Sequence, residues 1–230
     1  QPVVSSFICN QQCLKNKNNS ELKYYWTTFS LKKLKMANAG IVLSFHNILL
    51  HQSDVDLLSG PYWLNDTIIS FYFEYLETKI FRNAKELLFV SPEVTQCIKM
   101  VHEDEINTFL EPLGICEKQF VFFPLNDNDT PDMAGGSHWS LLVYSKPESC
   151  FYHFDSSYQN FSNINYMNKE CLQQGNGYDC GVHVLCNAER LAECAHHVGL
   201  IANCDMHIKI KPSVKRKEIL NIINNLSSAD

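Results

Sequence analysis

Two apolar, aromatic-rich runs, HWSLLVY (138–144) and CFYHFD (150–155), flank the short polar segment SKPES. Two such runs around a Lys-Pro turn read as a β-hairpin. Pairing His138 with Asp155 across the ladder centres the turn between Lys146 and Pro147, where composition also puts it. Directly opposed residues share a face with Cβ atoms roughly 4.5–5.5 Å apart, so an imidazole and a carboxylate would meet at the open end of the hairpin. A register slip of one residue would separate them.

The neighbouring segments extend this core. QFVFFPL (119–125) reads as a buried strand, and the polar run NDNDTPDMAGGS (126–137) as a long loop leading to His138. Asn65-Asp66-Thr67 supplies N-cap residues for a helix carrying Ile69, Phe73, Leu76 and Ile80 at helical spacing, and Ser91-Pro92-Glu93 starts another through Val94, Cys97, Ile98 and Val101. CGVHVLCNAERLAECA places Val182, Leu185, Cys186, Ala192 and Ala195 near one helical face, and KRKEILNIINNL forms a last helix. Helices at both ends around a group of strands indicate an α+β domain, without internal repeats. Residues 36–230 read as this domain. Residues 1–35, with KNKNNS, KKLK and no sustained period, read as an extension, either disordered or non-native, or else a regulatory tail.

The overall charge of -6 argues weakly against a nucleic-acid partner, which needs clustered Lys and Arg. No apolar run approaches the roughly 20 residues of a membrane span. The ten cysteines include no CxxC pair, several lie inside apolar runs, and no secretory signal precedes them. A reducing compartment, cytoplasm or nucleus or both, is the expectation, and no metal or cofactor is implied. Cys194, His196 and His197 are close in sequence, but a metal site lacks its further ligands.

In QGNGYDCG (174–181), a glycine-rich turn meets a helix at Cys180. The positive end of the helix dipole favours a thiolate there, and the glycines would let the backbone turn sharply and bare N–H donors to an oxyanion. A nucleophilic cysteine also needs a base and a group that fixes that base, and His138 with Asp155 would supply both. Each residue also has a plainer reading: a buried structural thiol, a core histidine, a strand-ending aspartate.

GGSHWSLLVY, FYHFDS and QGNGYDCGVHV, in this order and spacing, resemble the Ulp/sentrin-specific cysteine protease family. QSDVDLLSGPYWLND and SPEVTQCI resemble its deneddylase branch, which acts on the Nedd ubiquitin-like modifier. The resemblance covers about residues 36–230. It implies a papain-like α+β fold with a central, mostly antiparallel sheet flanked by helices and the nucleophile at a helix N-terminus. It further implies Cys180 as nucleophile, His138 as general base and later acid, Asp155 as orienting carboxylate and Gln174 as a side-chain donor to the oxyanion hole, although a one-residue shift would exchange Gln174 with Gln173. Trp63 and Trp139 would clamp the Gly-Gly tail of the modifier, since flat rings leave room for glycine and little else. Asp66 and the 126–136 loop, with Asn128 and Gly136, would touch the modifier body; Asp66 would equally serve as a helix cap, and Trp63 as core. The implied partners are a Nedd-type modifier and its conjugates, cullins among them, acted on by a monomer. SUMO or ubiquitin as the modifier, or a catalytically dead modifier-binding module, are the rival readings.

One departure stands out. Only 18 residues (156–173) separate Asp155 from Gln174, where these proteases usually carry a helix and a further strand. The segment shows little helical period, so either that element is lost, which would leave one side of the core or sheet less covered, or the sequence comes from an incomplete gene model.

Overall fold

In a computed structural model, residues 40–130, 135–157, 166–206 and 211–228 are described. The expected extension, residues 1–35, lies outside them. The chain opens with a hairpin, β1 (Ile41–Phe45) and β2 (Ile48–His51), turned at His46 with φ 50°, and a short helix α1 (Gln52–Asp56). There follow α2 (Asp66–Tyr75), β3 (Leu87–Phe89), α3 (Pro92–Met100), α4 (Ile106–Leu110) and β4 (Phe120–Asn126). After them come β5 (Trp139–Ser145), β6 (Cys150–Phe154), β7 (Met167–Lys169), α5 (Cys180–Val198) and α6 (Pro212–Ser227).

β3 to β7 form one five-stranded sheet in sequence order. Its centre, β4-β5-β6, is antiparallel as expected, whereas β3 and β7 run parallel to their neighbours, so the sheet is mixed. Phe120 and Phe122 face the main core with Leu141, Val143, Tyr152 and Phe154, against α2, α5 and α6. Val121 and Phe123 face the other side, with Tyr144 and Phe151, against α3 and α4. Helices cover both faces, which is why FVFF is a continuous apolar run and not an alternating one. Phe122 is fully buried, stacked on Phe89 at 4.8 Å; burial of such a side chain contributes about 1.5–3 kcal/mol relative to exposure.

The helix starts follow local chemistry. Ser91 caps α3 by accepting from the Val94 N–H, with Pro92 as its first residue. For α2 the cap is Asn65, whose side chain accepts from the Ile68 N–H, and Asp66 is the first helical residue, exposed, its carboxylate accepting from the Thr67 N–H and hydroxyl in its own turn. α5 runs to Val198, and Gly199 (φ 76°) ends it in the left-handed conformation. Its first half is buried on nearly all sides, because it lies between the sheet and the layer formed by α2 and α6.

The hairpin differs from the expected register. Leu141 pairs with Phe154 and Ser145 with Cys150, so Asp155 lies level with Ser140, two residues beyond His138. The turn explains the shift: the Ser149 N–H donates to the Lys146 carbonyl, which puts Pro147 at the second position and the centre after it. Proline's fixed φ suits that position and is disfavoured at the third, where the expected register had placed it. A displacement of two residues preserves the face, so His138 and Asp155 become diagonal neighbours instead of opposed ones.

The segment after Asp155 also departs from expectation. A strand is present, β7, with Tyr152 level with Met167. Its crossover from β6 has about the minimum dozen residues that a parallel connection needs. The question of a helix there falls on residues 158–165, outside the described residues.

Candidate active site

The first turn of α5 is built by side chains more than by glycines. Asn176 Oδ1 accepts from the N–H groups of Tyr178 and Asp179, a local turn that sets the chain onto the helix. Gly175 and Gly177 do not adopt positive φ, and a Cβ at either would meet nothing within 4 Å. The expected role of these two in sharpening the turn is therefore corrected: they leave open space. Gly181 is the constrained one, since a Cβ there would come within 3.0 Å of the Leu64 Cβ and 3.5 Å of the Trp139 ring.

Cys180 is the first residue of α5 and is almost fully buried. Asp179 occupies the N-cap position, yet its side chain makes no cap bond, so the first N–H groups of the helix receive no partner from it. His138, immediately before β5, places Nε2 2.6 Å from Asp155 Oδ1. An ionised carboxylate only accepts, so Nε2 carries the proton and Nδ1 is left for Cys180. The hydrogen bond with Asp155, and next the one with Cys180, hold the His138 pKa up to about 10 against the opposing effect of burial. Asp155 Oδ1 also accepts from the Ser157 N–H, and its backbone carbonyl accepts from Gln173 Nε2 and the Cys171 thiol. A second buried histidine, His153, has Nε2 at 2.9 Å from Ser140 Oγ; burial lowers its pKa and keeps it neutral.

The two glutamines point in different directions. Gln173 is directed at the carbonyls of Asp155 and Cys171. Gln174 reaches into the nucleophile turn, accepting from Ser156 Oγ at 2.7 Å and donating through Nε2 to the Asn176 carbonyl at 2.6 Å. One of its two amide protons is engaged there, which leaves the other. Trp139 donates Nε1–H to the Leu64 carbonyl, and Trp63, 49% exposed, donates to the Gly177 carbonyl. Both indoles thus sit beside the nucleophile turn, Trp63 bonded to Gly177 and Trp139 against Gly181. Trp63 is not core.

The loop before His138 is closed at its neck. Asp127 accepts from the Ser137 N–H and hydroxyl and from the His138 N–H, while its own N–H donates to the His138 carbonyl. Gly136 (φ 93°) packs against Asn126, and a Cβ would overlap Asn126 Oδ1 at 1.9 Å. Asn128 accepts through its carbonyl from Gln96 and Lys99 of α3, and its side chain accepts from Thr130 within the loop. Residues 131–134 of this loop lie outside the described residues.

Sequence reasoning missed Asp127, Asn176 and Arg216. Asp127 and Asn176 sit in polar runs where Asn and Asp are ordinary turn formers, so no signal separates them. Arg216 did leave one: Lys215, Arg216 and Lys217 crowd the early turns of a helix, where the dipole disfavours cations. Such a run calls for acidic partners, and Lys215 binds Glu189 and Glu218 while Arg216 binds Asp179.

Among the described residues, Cys97, Cys150, Cys171, Cys180, Cys186, Cys194 and Cys204 are free thiols. Burial pushes the thiols of Cys171 up to about 11 and of Cys186 and Cys204 up to about 12, so these remain protonated near neutral pH. His196 is engaged with Glu86 at 2.6 Å, and no cluster of three or more metal-ligating groups occurs among the described residues. Nor is any described helix long and apolar enough to cross a membrane.

Comparison with known proteins agrees with this geometry. The family model for the Ulp1 protease family, C-terminal catalytic domain, matches residues 62–162 and 156–218. Sentrin-specific protease 8 of Homo sapiens is 41% identical over 174 residues, covering 66% of this chain and 82% of that protein. NEDD8-specific protease 1 of Arabidopsis thaliana is 34% identical over 214 residues, covering 81% and 94%. Among solved structures, the C-terminal Ulp1 protease domain in complex with Smt3, the yeast ortholog of SUMO, superposes with a TM-score of 0.62 at 19% identity, covering 94% of this chain and 99% of that one. A helix-borne cysteine facing a histidine on the adjacent sheet, in a chain with these relatives, leaves one assignment: this protein belongs to the Ulp1 protease family and is a cysteine peptidase.

Proposed function

We propose that this protein is a thiol isopeptidase that cleaves after the C-terminal Gly-Gly of a Nedd-type ubiquitin-like modifier, maturing its precursor and releasing it from conjugates. The observation that carries the reading is the His138–Asp155 bond of 2.6 Å held beside Cys180 at the start of α5. The choice of modifier rests on the relatives at 41% and 34% identity, one of which is named for NEDD8.

In this reading the Cys180 thiolate attacks the carbonyl carbon of the terminal glycine. The oxyanion is received by the Cys180 N–H at the start of α5 and by the remaining proton of Gln174 Nε2. The His138 imidazolium then protonates the leaving amine, giving a thioester and a neutral imidazole. Water, deprotonated by His138, attacks the thioester, and the modifier leaves as a carboxylate while Cys180 and His138 regain their starting states. Asp155 fixes the imidazole and offsets its charge throughout. Trp63 and Trp139 flank the approach to Cys180 and admit a chain without side chains, while Asp66, Asn128 and Gly136 contact the body of the modifier. Cullin conjugates are natural substrates of such an enzyme, acting as a monomer in the cytoplasm or nucleus.

The test is covalent capture by the full chain of Nedd-type, SUMO and ubiquitin probes, each carrying a C-terminal thiol-reactive group. Capture of the Nedd-type probe alone, lost in Cys180→Ala, is the expected outcome. Capture of SUMO or ubiquitin instead overturns the modifier, and a folded chain that captures none is a binding module.

A further inference from the structure

Arg216 lies on α6, 36 residues after Cys180 in sequence, and is buried with its partner: side-chain exposures are 6% for Arg216 and 7% for Asp179. Nε and Nη2 donate to Asp179 Oδ1 at 3.0 and 2.8 Å, Nη1 to the Leu57 carbonyl at 2.8 Å, and Nη2 also to the Tyr62 carbonyl at 2.7 Å. Nη2 further approaches the Tyr178 carbonyl at 3.4 Å, and the guanidinium lies over the Tyr178 ring. One side chain therefore joins the early turns of α6, the segment carrying Trp63 and the turn carrying Cys180.

A buried ion pair is by itself a poor argument for stability, since desolvation offsets much of the attraction. What is informative is where it draws Asp179. A capping aspartate has extended backbone, whereas Asp179 (φ -93°, ψ 6°) does not, so its carboxylate is free for other partners. Here Oδ1 goes to Arg216 and Oδ2 accepts from Asn176 Nδ2 at 2.8 Å, and no cap bond is made. The chain continues through the Asn176 carbonyl to Gln174, and from Gln174 to Ser156 beside Asp155.

We propose that Arg216 is a positioning residue for catalysis: it neutralises the Asp179 carboxylate beside the N-terminus of α5, keeping an unpaired negative charge off the thiolate, and it braces the Gly175–Asp179 turn against the Trp63 segment. The charged and titratable groups around this turn are His138 before β5, Asp155 after β6, His183 and Cys186 on α5 and Arg216 on α6. Burial keeps His183 and Cys186 uncharged near neutral pH. Without Arg216, the Asp179 carboxylate would be an unpaired negative charge one residue from Cys180 and would disfavour the thiolate, and no other cation from α6 replaces the guanidinium, because Lys215 is held by Glu189 and Glu218.

The proposal rests on the peptidase reading, so two readouts are taken. The first, iodoacetamide labelling of Cys180 followed by peptide mapping across pH, needs no modifier. In Arg216→Met, labelling at pH 7 should slow about threefold or more and recover at high pH, as a nearby carboxylate disfavours the thiolate. In the double variant Asp179→Ala/Arg216→Met the labelling profile should return to that of the wild type. The second readout, turnover of the modifier, should fall about tenfold or more in Arg216→Met and recover only in part in the double variant, because the Leu57 and Tyr62 carbonyls stay unbraced. Arg216→Lys covers the case of misfolding: it keeps a charge on Asp179 but has no rigid fork for three partners, so it should label normally and turn over slowly. A folded Arg216→Met with wild-type labelling and turnover, or an Arg216→Lys with wild-type turnover, overturns the proposal. A wild-type chain that labels at Cys180 yet turns over no modifier overturns the modifier reading instead, and leaves the labelling comparison intact.

Discussion

Replacing Asp155 with asparagine removes a charge while keeping size and shape, and the structure lets the consequence be worked through. The bond to His138 is 2.6 Å long between side chains each about 10% exposed. A charge-assisted hydrogen bond of this kind contributes about 1.5–3 kcal/mol. Since one pKa unit corresponds to about 1.4 kcal/mol, Asp155→Asn should bring the His138 pKa down from about 10 by roughly one to two units. A shift of that size in His138 weakens the imidazolium beside Cys180 about tenfold to a hundredfold. Labelling of Cys180 by iodoacetamide at pH 6.5 should therefore fall about tenfold or more, and should approach the wild-type rate above about pH 9, where an ordinary thiol ionises unaided. Stability follows with a defined sign. A histidine whose folded pKa is raised contributes stability that is complete below its unfolded pKa of about 6.5 and disappears as pH rises through its folded pKa. The Tm difference between wild type and variant should accordingly be largest near pH 6 and close by about pH 10.5. A variant that labels at pH 6.5 within twofold of the wild type would refute the assignment of Asp155 as the main support of the imidazolium.

Three further changes test other parts of the site and its frame. Gln174→Ala removes an oxyanion donor and should cost about 10²–10³ in turnover while labelling of Cys180 changes little, measured on the same preparation. Trp63→Ala should raise KM more than it lowers kcat and leave Tm nearly unchanged, because the ring is half exposed and donates only to Gly177; steady-state kinetics and a melt decide it. Phe122→Ala, at a fully buried ring stacked on Phe89, should destabilise by about 3–5 kcal/mol in urea unfolding.

Much of the fold follows from local pattern. The helix starts at Ser91 and Cys180 and the strands around Lys146–Ser149 are legible because capping chemistry and apolar runs are short-range. The early hairpin at 41–51, β3 and α4 went unread. β3 is only three residues long, too short for any periodicity, and its position is set by pairing with β4 far along the chain. The hairpin register was misjudged by two residues because the turn type, not the arithmetic of two active groups, fixes it, and proline decides the turn type.

The site divides along the same line. Sequence by itself determined the residue types and their order: a cysteine at a helix start, a histidine and an aspartate at the open end of one hairpin, a glutamine just upstream. These are properties of neighbours along the chain, and their spacing carries the chemistry. Only the tertiary structure decided what Asp179 does. Nothing near Asp179 in sequence supplies a cation for its carboxylate; a guanidinium brought in by the final helix pairs with it and ties the turn to Tyr62 and Leu57. That outcome depends on contacts across some 160 residues of sequence, made possible because burial of both ions is compensated only where all the partners converge.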